Sequence, residues 1–169
     1  MNCPTGPDEG LAKFLSSGGP QLEMGRIEFN VFTQADCNLA WKIFSECENW
    51  NRFLNAYGKV QWRGERWAPG SRLLIELFYP IRVTQDRVIT ICTPPRCVAW
   101  INHVFGYTLE QWVLFDPYSG GGTRVSTRIE IVGKALSVEG QDIRELIQDF
   151  VVRWYTKFAE ECDREASQI

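Results

Sequence analysis

The sequence predicts an α+β domain, a seven-stranded curved antiparallel sheet wrapped around a long C-terminal helix, with two short helices after the first strand. Three observations predict it. First, between residues 58 and 132 apolar and polar residues alternate, in runs separated by short turns containing Gly or Pro. Second, the period changes from Ser137 to Ala166. There Ile143, Leu146, Ile147, Phe150, Val151, Trp154, Phe158 and Cys162 recur at steps of three and four, with Asp142, Glu145, Asp149, Arg153, Lys157 and Glu160 opposite. Third, two short apolar-periodic segments follow the first strand directly, which suits a V-shaped support better than a βαβ crossover.

Taken in order, residues 1–25 are rich in Gly, Pro and Ser and read as a flexible N-terminal arm before a single domain over residues 26–169. Arg26 to Thr33 alternates, with Ile27, Phe29 and Val31 on one face, and is the first strand. Asp36 is a suitable N-cap for a short helix carrying Leu39, Ala40, Ile43 and Phe44. Glu46 to Asn55, with Trp50, Phe53 and Leu54, reads as a second. Strands are then expected over Val60–Glu65, Arg72–Phe78, Ile81–Cys92, Cys97–Val104, Gly106–Phe115 and Thr123–Val132. The turns between them include Ala68-Pro69-Gly70-Ser71, Thr93-Pro94-Pro95-Arg96 and the Gly-rich stretch from Asp116 to Gly122. Short connections imply an antiparallel meander, and a sheet this wide must curl.

Composition narrows the function classes. A net charge of −3 with basic residues scattered singly argues against nucleic acid as a partner. Seven Trp and ten Phe supply large flat walls for a core or a binding cavity. Six cysteines form no C-x-x-C pair and there is one His, so neither a metal site nor another cofactor is implied. Cys92 and Cys97 flank a turn and could face each other across a hairpin; reduced buried thiols are the plainer reading. No apolar run approaches the roughly 18 residues of a membrane span, and no basic-then-apolar leader opens the chain. A cytoplasmic location is the default expectation.

Several local patterns fall in a telling order: Ala40-Trp41, Asn49-Trp50-Asn51-Arg52-Phe53, Pro69-Gly70-Ser71, Pro94-Pro95, Phe115-Asp116-Pro117, Gly121-Gly122-Thr123-Arg124 and the long last helix. Together they resemble the START-like, Bet v 1-like helix-grip superfamily (SRPBCC), in its polyketide cyclase/dehydrase-like branch, over about residues 26 to 166. The resemblance implies a deep, mostly apolar cavity between sheet and last helix. Members of this superfamily bind lipids, sterols, polyketides, plant hormones or other hydrophobic small molecules; some aromatise or cyclise a bound polyketide, and others assist chaperones.

Strand parity aligned to that pattern gives the expected ligand-binding set. From the sheet it is Ile75, Leu77, Trp100, Asn102, Tyr107, Gln111, Val113, Thr127 and Ile129; from the helix, Ile147, Phe150, Val151 and Trp154. The same parity turns Leu73, Val98, Leu109, Phe115, Val125 and Ile131 inward. Asn102, Gln111, Thr127 and the Tyr107 hydroxyl are the polar exceptions. An unpartnered buried amide costs about 1–3 kcal/mol, so these groups either meet a polar ligand group or water, or bond to one another. Arg87 shares the parity of Ile89 and Ile91, which would aim it inward. His103, Glu76, Glu110 and Glu130 alternate outward, so no catalytic residue is assigned. Outward Trp112 and Leu114, with Ile101 nearby, form an apolar strip that would suit a homodimer.

The residues therefore favour a non-catalytic carrier or sensor of a hydrophobic small molecule. The alternative is a polyketide cyclase/aromatase-like or dehydratase-like enzyme, with Asn102, Gln111 and Tyr107 orienting carbonyls or water. A chaperone-activator module is a more distant third.

Overall fold

Strand β1 spans Glu23–Thr33 in a computed structural model that describes residues 23–133, 137–138 and 141–169. Glu23 to Gly25 therefore belong to the sheet; the rest of the expected N-terminal arm lies outside the described residues. Helix α1 (Cys37–Ser45) begins where expected, because the Asp36 carboxylate accepts from the Leu39 N–H at 2.8 Å. The second segment is a 3-10 turn, Cys47–Arg52, shorter than the helix expected there. Its Trp50 donates its indole N–H to the Phe44 carbonyl at 2.9 Å, which folds the turn back against α1.

Six further long strands follow: β2 (Tyr57–Arg63), β3 (Arg72–Leu77), β4 (Val83–Thr93), β5 (Cys97–Val104), β6 (Tyr107–Pro117) and β7 (Thr123–Gly133). Neighbours in sequence pair antiparallel, and β1 pairs with β7, giving the order β1-β7-β6-β5-β4-β3-β2. Gly122 opens β7 at φ +84°, and a Cβ there would sit 2.0 Å from the Thr33 carbonyl oxygen, so no other residue fits that turn.

The C-terminal helix α2 runs from Ile143 to Ala166, not from Ser137. Ser137–Val138 (β8) and Gln141–Asp142 (β9) pair as a small hairpin instead. Asp142 then caps α2 by accepting from the Arg144 N–H at 2.9 Å. The core lies between α2 and the inner face of the sheet. Leu73, Ile75, Ile89, Val98, Val113, Phe115, Val125, Ile129 and Ile131 bury from the sheet, and Val151, Trp154, Phe158 and Cys162 from the helix.

The outer face carries a second, small cluster of Cys97, Ala99 and Trp112, flanked by Ile91 and Leu114. Trp112 is 6% exposed, so the outward strip is not the open apolar face expected from the sequence. A bulge between Ile89 and Ile91 explains why Ile91 joins this cluster while Arg87 and Ile89 stay inside. Cys92 is a free thiol packed with the inner core, whereas Cys97 sits in the outer cluster. The two do not bridge, because Cys92 is free and packs on the opposite face from Cys97. Elsewhere on this face Glu130 is paired with Arg26 at 2.7 Å.

Candidate functional site

A half-open cavity with about 100 Å³ of free space lies between α2 and the inner face of the sheet. Its apolar wall comes from Leu77, Trp100, Leu109 and Ile129 of the sheet and Ile143, Leu146, Ile147, Phe150, Val151 and Trp154 of the helix. Pro80, Ile81 and Phe105, from the β3–β4 and β5–β6 turns, complete it. One end is stopped by an aromatic cluster. Trp154 packs on Phe158 at 5.3 Å, on Trp50 at 5.2 Å and on Phe44 at 5.8 Å between ring centroids, and Phe44 meets Phe115 at 5.4 Å. Those rings fill space that would otherwise extend the cavity.

Of the residues expected to bind ligand, Leu77, Trp100, Asn102, Gln111, Ile129, Ile147, Phe150, Val151 and Trp154 line this cavity. Ile75, Tyr107, Val113 and Thr127 are buried on the expected face but do not line it. Ile75, Tyr107 and Val113 belong to the packed core, and Thr127 is buried beside it in hydrogen bonds. Parity sets which face a residue takes, but not whether void or packing lies in front of it.

The polar exceptions divide. Gln111 donates its amide N–H to Thr127 Oγ1 at 3.0 Å and to the Tyr155 hydroxyl at 3.1 Å, and Thr127 donates to the Trp112 carbonyl at 3.1 Å. These groups satisfy one another. Tyr155 was not among the sequence candidates, although its position beside Trp154 on an amphipathic helix gave no reason to choose it. Burial pushes its hydroxyl up to about 12, so it stays neutral across the physiological range. Asn102 is 3% exposed, lines the cavity, and its side-chain amide has no hydrogen-bond partner among the described residues. The indole N–H of Trp100 also lines it and has none, while that of Trp154 faces the buried Tyr57 hydroxyl.

Arg87 is the strongest chemical feature. It is 8% exposed and lines the cavity. Its Nε and Nη2 both donate to one acceptor, Gln85 Oε1, at 2.9 and 2.8 Å. Its guanidinium lies 4.8 Å from the Trp100 ring and 5.8 Å from the Trp50 ring. No carboxylate pairs with it among the described residues. Burial pulls its pKa below the ordinary value, with the Tyr57 and Tyr155 hydroxyls nearby opposing that shift. The register that pairs Val88 with Ile101 sets Asn102 alongside Arg87 on the inner face. The signal for Arg87 was present in the sequence, as an arginine sharing the parity of Ile89.

No Asp, Glu or His lines the cavity among the described residues. His103 points outward, its Nδ1 3.0 Å from Thr108 Oγ1. Among the described residues no three His, Cys, Asp or Glu side chains gather as a metal site, and no helix is long and apolar enough to cross a membrane.

No family model matches the chain, and no curated protein matches it by sequence. Its likeness is to solved structures. The Zhui aromatase/cyclase from Streptomyces sp. R1128 superposes with a TM-score of 0.70 at 13% identity, over 85% of this chain and 96% of that one. The di-domain ARO/CYC BexL from the BE-7585A biosynthetic pathway gives 0.68 at 13% identity, over 83% of this chain and 50% of that one. The chain thus spans about half the length of BexL. Ara h 8.0201 gives 0.67 at 8% identity, over 83% of this chain and 98% of that one. At such identities the likeness is one of fold.

Proposed function

For a chain that has the helix-grip fold, we propose binding of a hydrophobic small molecule between the sheet and α2, as a non-catalytic carrier or sensor. The observation that carries this reading is the cavity itself, an apolar space at the sheet–helix boundary closed by few polar groups. The absence of an acid or imidazole from its described lining weighs for binding over proton-transfer chemistry. The cavity holds about 100 Å³ of free space and is half open to its surroundings, so a ligand can extend beyond it.

The polyketide cyclase-like reading is favoured by one observation, the inward row of Arg87, Asn102 and Gln111. Those groups could hold carbonyl oxygens in place. Native mass spectrometry of the purified protein, followed by organic extraction, tests the first reading. A bound hydrophobic molecule, or thermal stabilisation by an added apolar panel, is the expected result. A protein that neither retains nor accepts any such molecule refutes it. Turnover of a poly-β-keto substrate that falls on Gln111→Leu would replace the carrier reading with the enzymatic one.

A further inference from the structure

The polar feature that the apolar cavity does not account for is Arg87. A guanidinium removed from water loses several kcal/mol of hydration, and proteins ordinarily return it through a carboxylate. Here no carboxylate does so. Gln85 supplies one neutral oxygen, shared by two donors, and Trp100 supplies a ring face. Arginine carries five N–H donors and stays cationic. Its Nη1 amine has no hydrogen-bond partner among the described residues, on a residue that lines the cavity. Beside it on β5 stands the unpartnered amide of Asn102, 3% exposed and likewise lining the cavity. The orphan indole N–H of Trp100 adds one more donor on the same lining. Every one of these groups can donate a hydrogen bond, and no described lining residue carries a negative charge. Meanwhile Leu146, Ile147, Phe150 and Ile129 offer nothing polar.

We propose that the ligand is a small amphipathic carboxylate: an apolar body of about one ring or a short chain, ending in a single carboxylate that pairs with Arg87 and accepts from Asn102. This deepens the reading above and rests on it, since an anion subsite needs the cavity to be a ligand site. A carboxylate offers two oxygens to the guanidinium fork, which neutral ligands cannot match.

A structural role for Arg87 makes the opposite prediction. If stacking on Trp100 and bonding to Gln85 were its purpose, removing it would loosen the core. If it is held ready for an anion, an apolar replacement of similar length leaves the fold intact or stabilises it while abolishing recognition.

The test is isothermal titration of the wild-type protein with phenylacetate and hexanoate, each beside its methyl ester and primary amide, repeated on Arg87→Met. The expected result is that the acids bind and the neutral analogues bind at least about tenfold more weakly, as expected for hydrogen bonds to a charged group. Arg87→Met should erase that preference without lowering the unfolding midpoint. Esters or amides binding as well as the acids overturns the anion subsite and leaves the apolar cavity reading standing. So does a preference that survives in Arg87→Met. No binding by any probe, charged or neutral, overturns the anion subsite, and the native mass spectrometry and apolar panel then decide the cavity reading. Should Arg87→Met fail to fold, Arg87 is structural in part, and the acid-against-ester comparison on the wild-type protein decides alone.

Discussion

Gln111 and Asn102 occupy adjacent strands of the same sheet face, both buried amides and both facing the cavity, yet their surroundings differ. Gln111 gives its N–H groups to Thr127 and Tyr155. Asn102 gives its own to nothing among the described residues. Replacement by leucine should therefore separate them. Gln111→Leu strips the Tyr155 hydroxyl of its donor and removes two hydrogen bonds, at a cost of about 1–2 kcal/mol. Asn102→Leu removes no protein hydrogen bond and exchanges an unpartnered amide for an alkyl group, so stability should stay within about 0.5 kcal/mol or rise. Urea unfolding of both variants checks this. Equal losses would mean that Asn102 has a partner the cavity conceals. Trp154→Ala is a different kind of change. The ring stacks on Phe158 and meets Trp50, Phe44 and Phe53, so its loss should cost about 3–5 kcal/mol as a core cavity. That variant reports on packing before it reports on ligand.

Helix α2 has two halves with different attachments. Toward its C-terminus Asp163 Oδ1 accepts from the Thr33 hydroxyl at 2.6 Å and the Gln34 N–H at 2.7 Å, which ties the helix to the end of β1. Glu161 pairs with Arg52 at 2.9 Å and so holds the 3-10 turn as well. Trp154 and Phe158, in the aromatic cluster, lie just before these ties along the helix. The N-terminal half, from Ile143 to Val151, instead faces the cavity with Ile143, Leu146, Ile147, Phe150 and Val151. The tie between Arg153 and the Tyr79 hydroxyl, 2.6 Å long and exposed, joins the middle of α2 to the turn after β3. Fewer packed neighbours and weaker ties give lower local stability. Hydrogen exchange should thus be faster over Ile143–Val151 than over Trp154–Cys162, and a bound ligand should slow the first segment selectively. Equal protection along the helix would make α2 one rigid unit and move the ligand's route to the β3–β4 or β5–β6 turn.

For the molecule as a whole, the arrangement of layers was readable because alternation fixes which face of each strand is buried. Leu73, Ile75 and Leu77 could not be moved outward without a wholesale exchange of faces. What depends on distant partners was not readable. The pairing of β1 with β7 brings together segments about a hundred residues apart, and no local pattern encodes it. Ser137 and Val138 fit a helical period as well as a strand, so the start of α2 depended on a hairpin too short to announce itself. Within the site, Ile75 and Val113 shared the inward parity of Leu77 and Trp100; where α2 and the aromatic rings cross them decided which saw open space. The same burial makes a collective prediction about pH. Cys47 and Cys92 are pushed up to about 11 and Tyr155 to about 12, each chiefly by loss of water, and Tyr57 is raised by the same cause. Unfolding returns thiols to about 8.5 and tyrosines to about 10. Below those values both states are protonated and stability is flat. Above them the unfolded chain releases protons that the folded chain retains, so stability falls as pH rises, first from the thiols and then from the tyrosines. Urea midpoints should accordingly hold from pH 7 to 8 and decline between pH 9 and 10.5, with a shallower decline in Cys47→Ala. Midpoints that stay level to pH 10.5 would mean these groups are already in contact with water in the folded protein, and the dry core described between sheet and helix would have to be redrawn as a wet one.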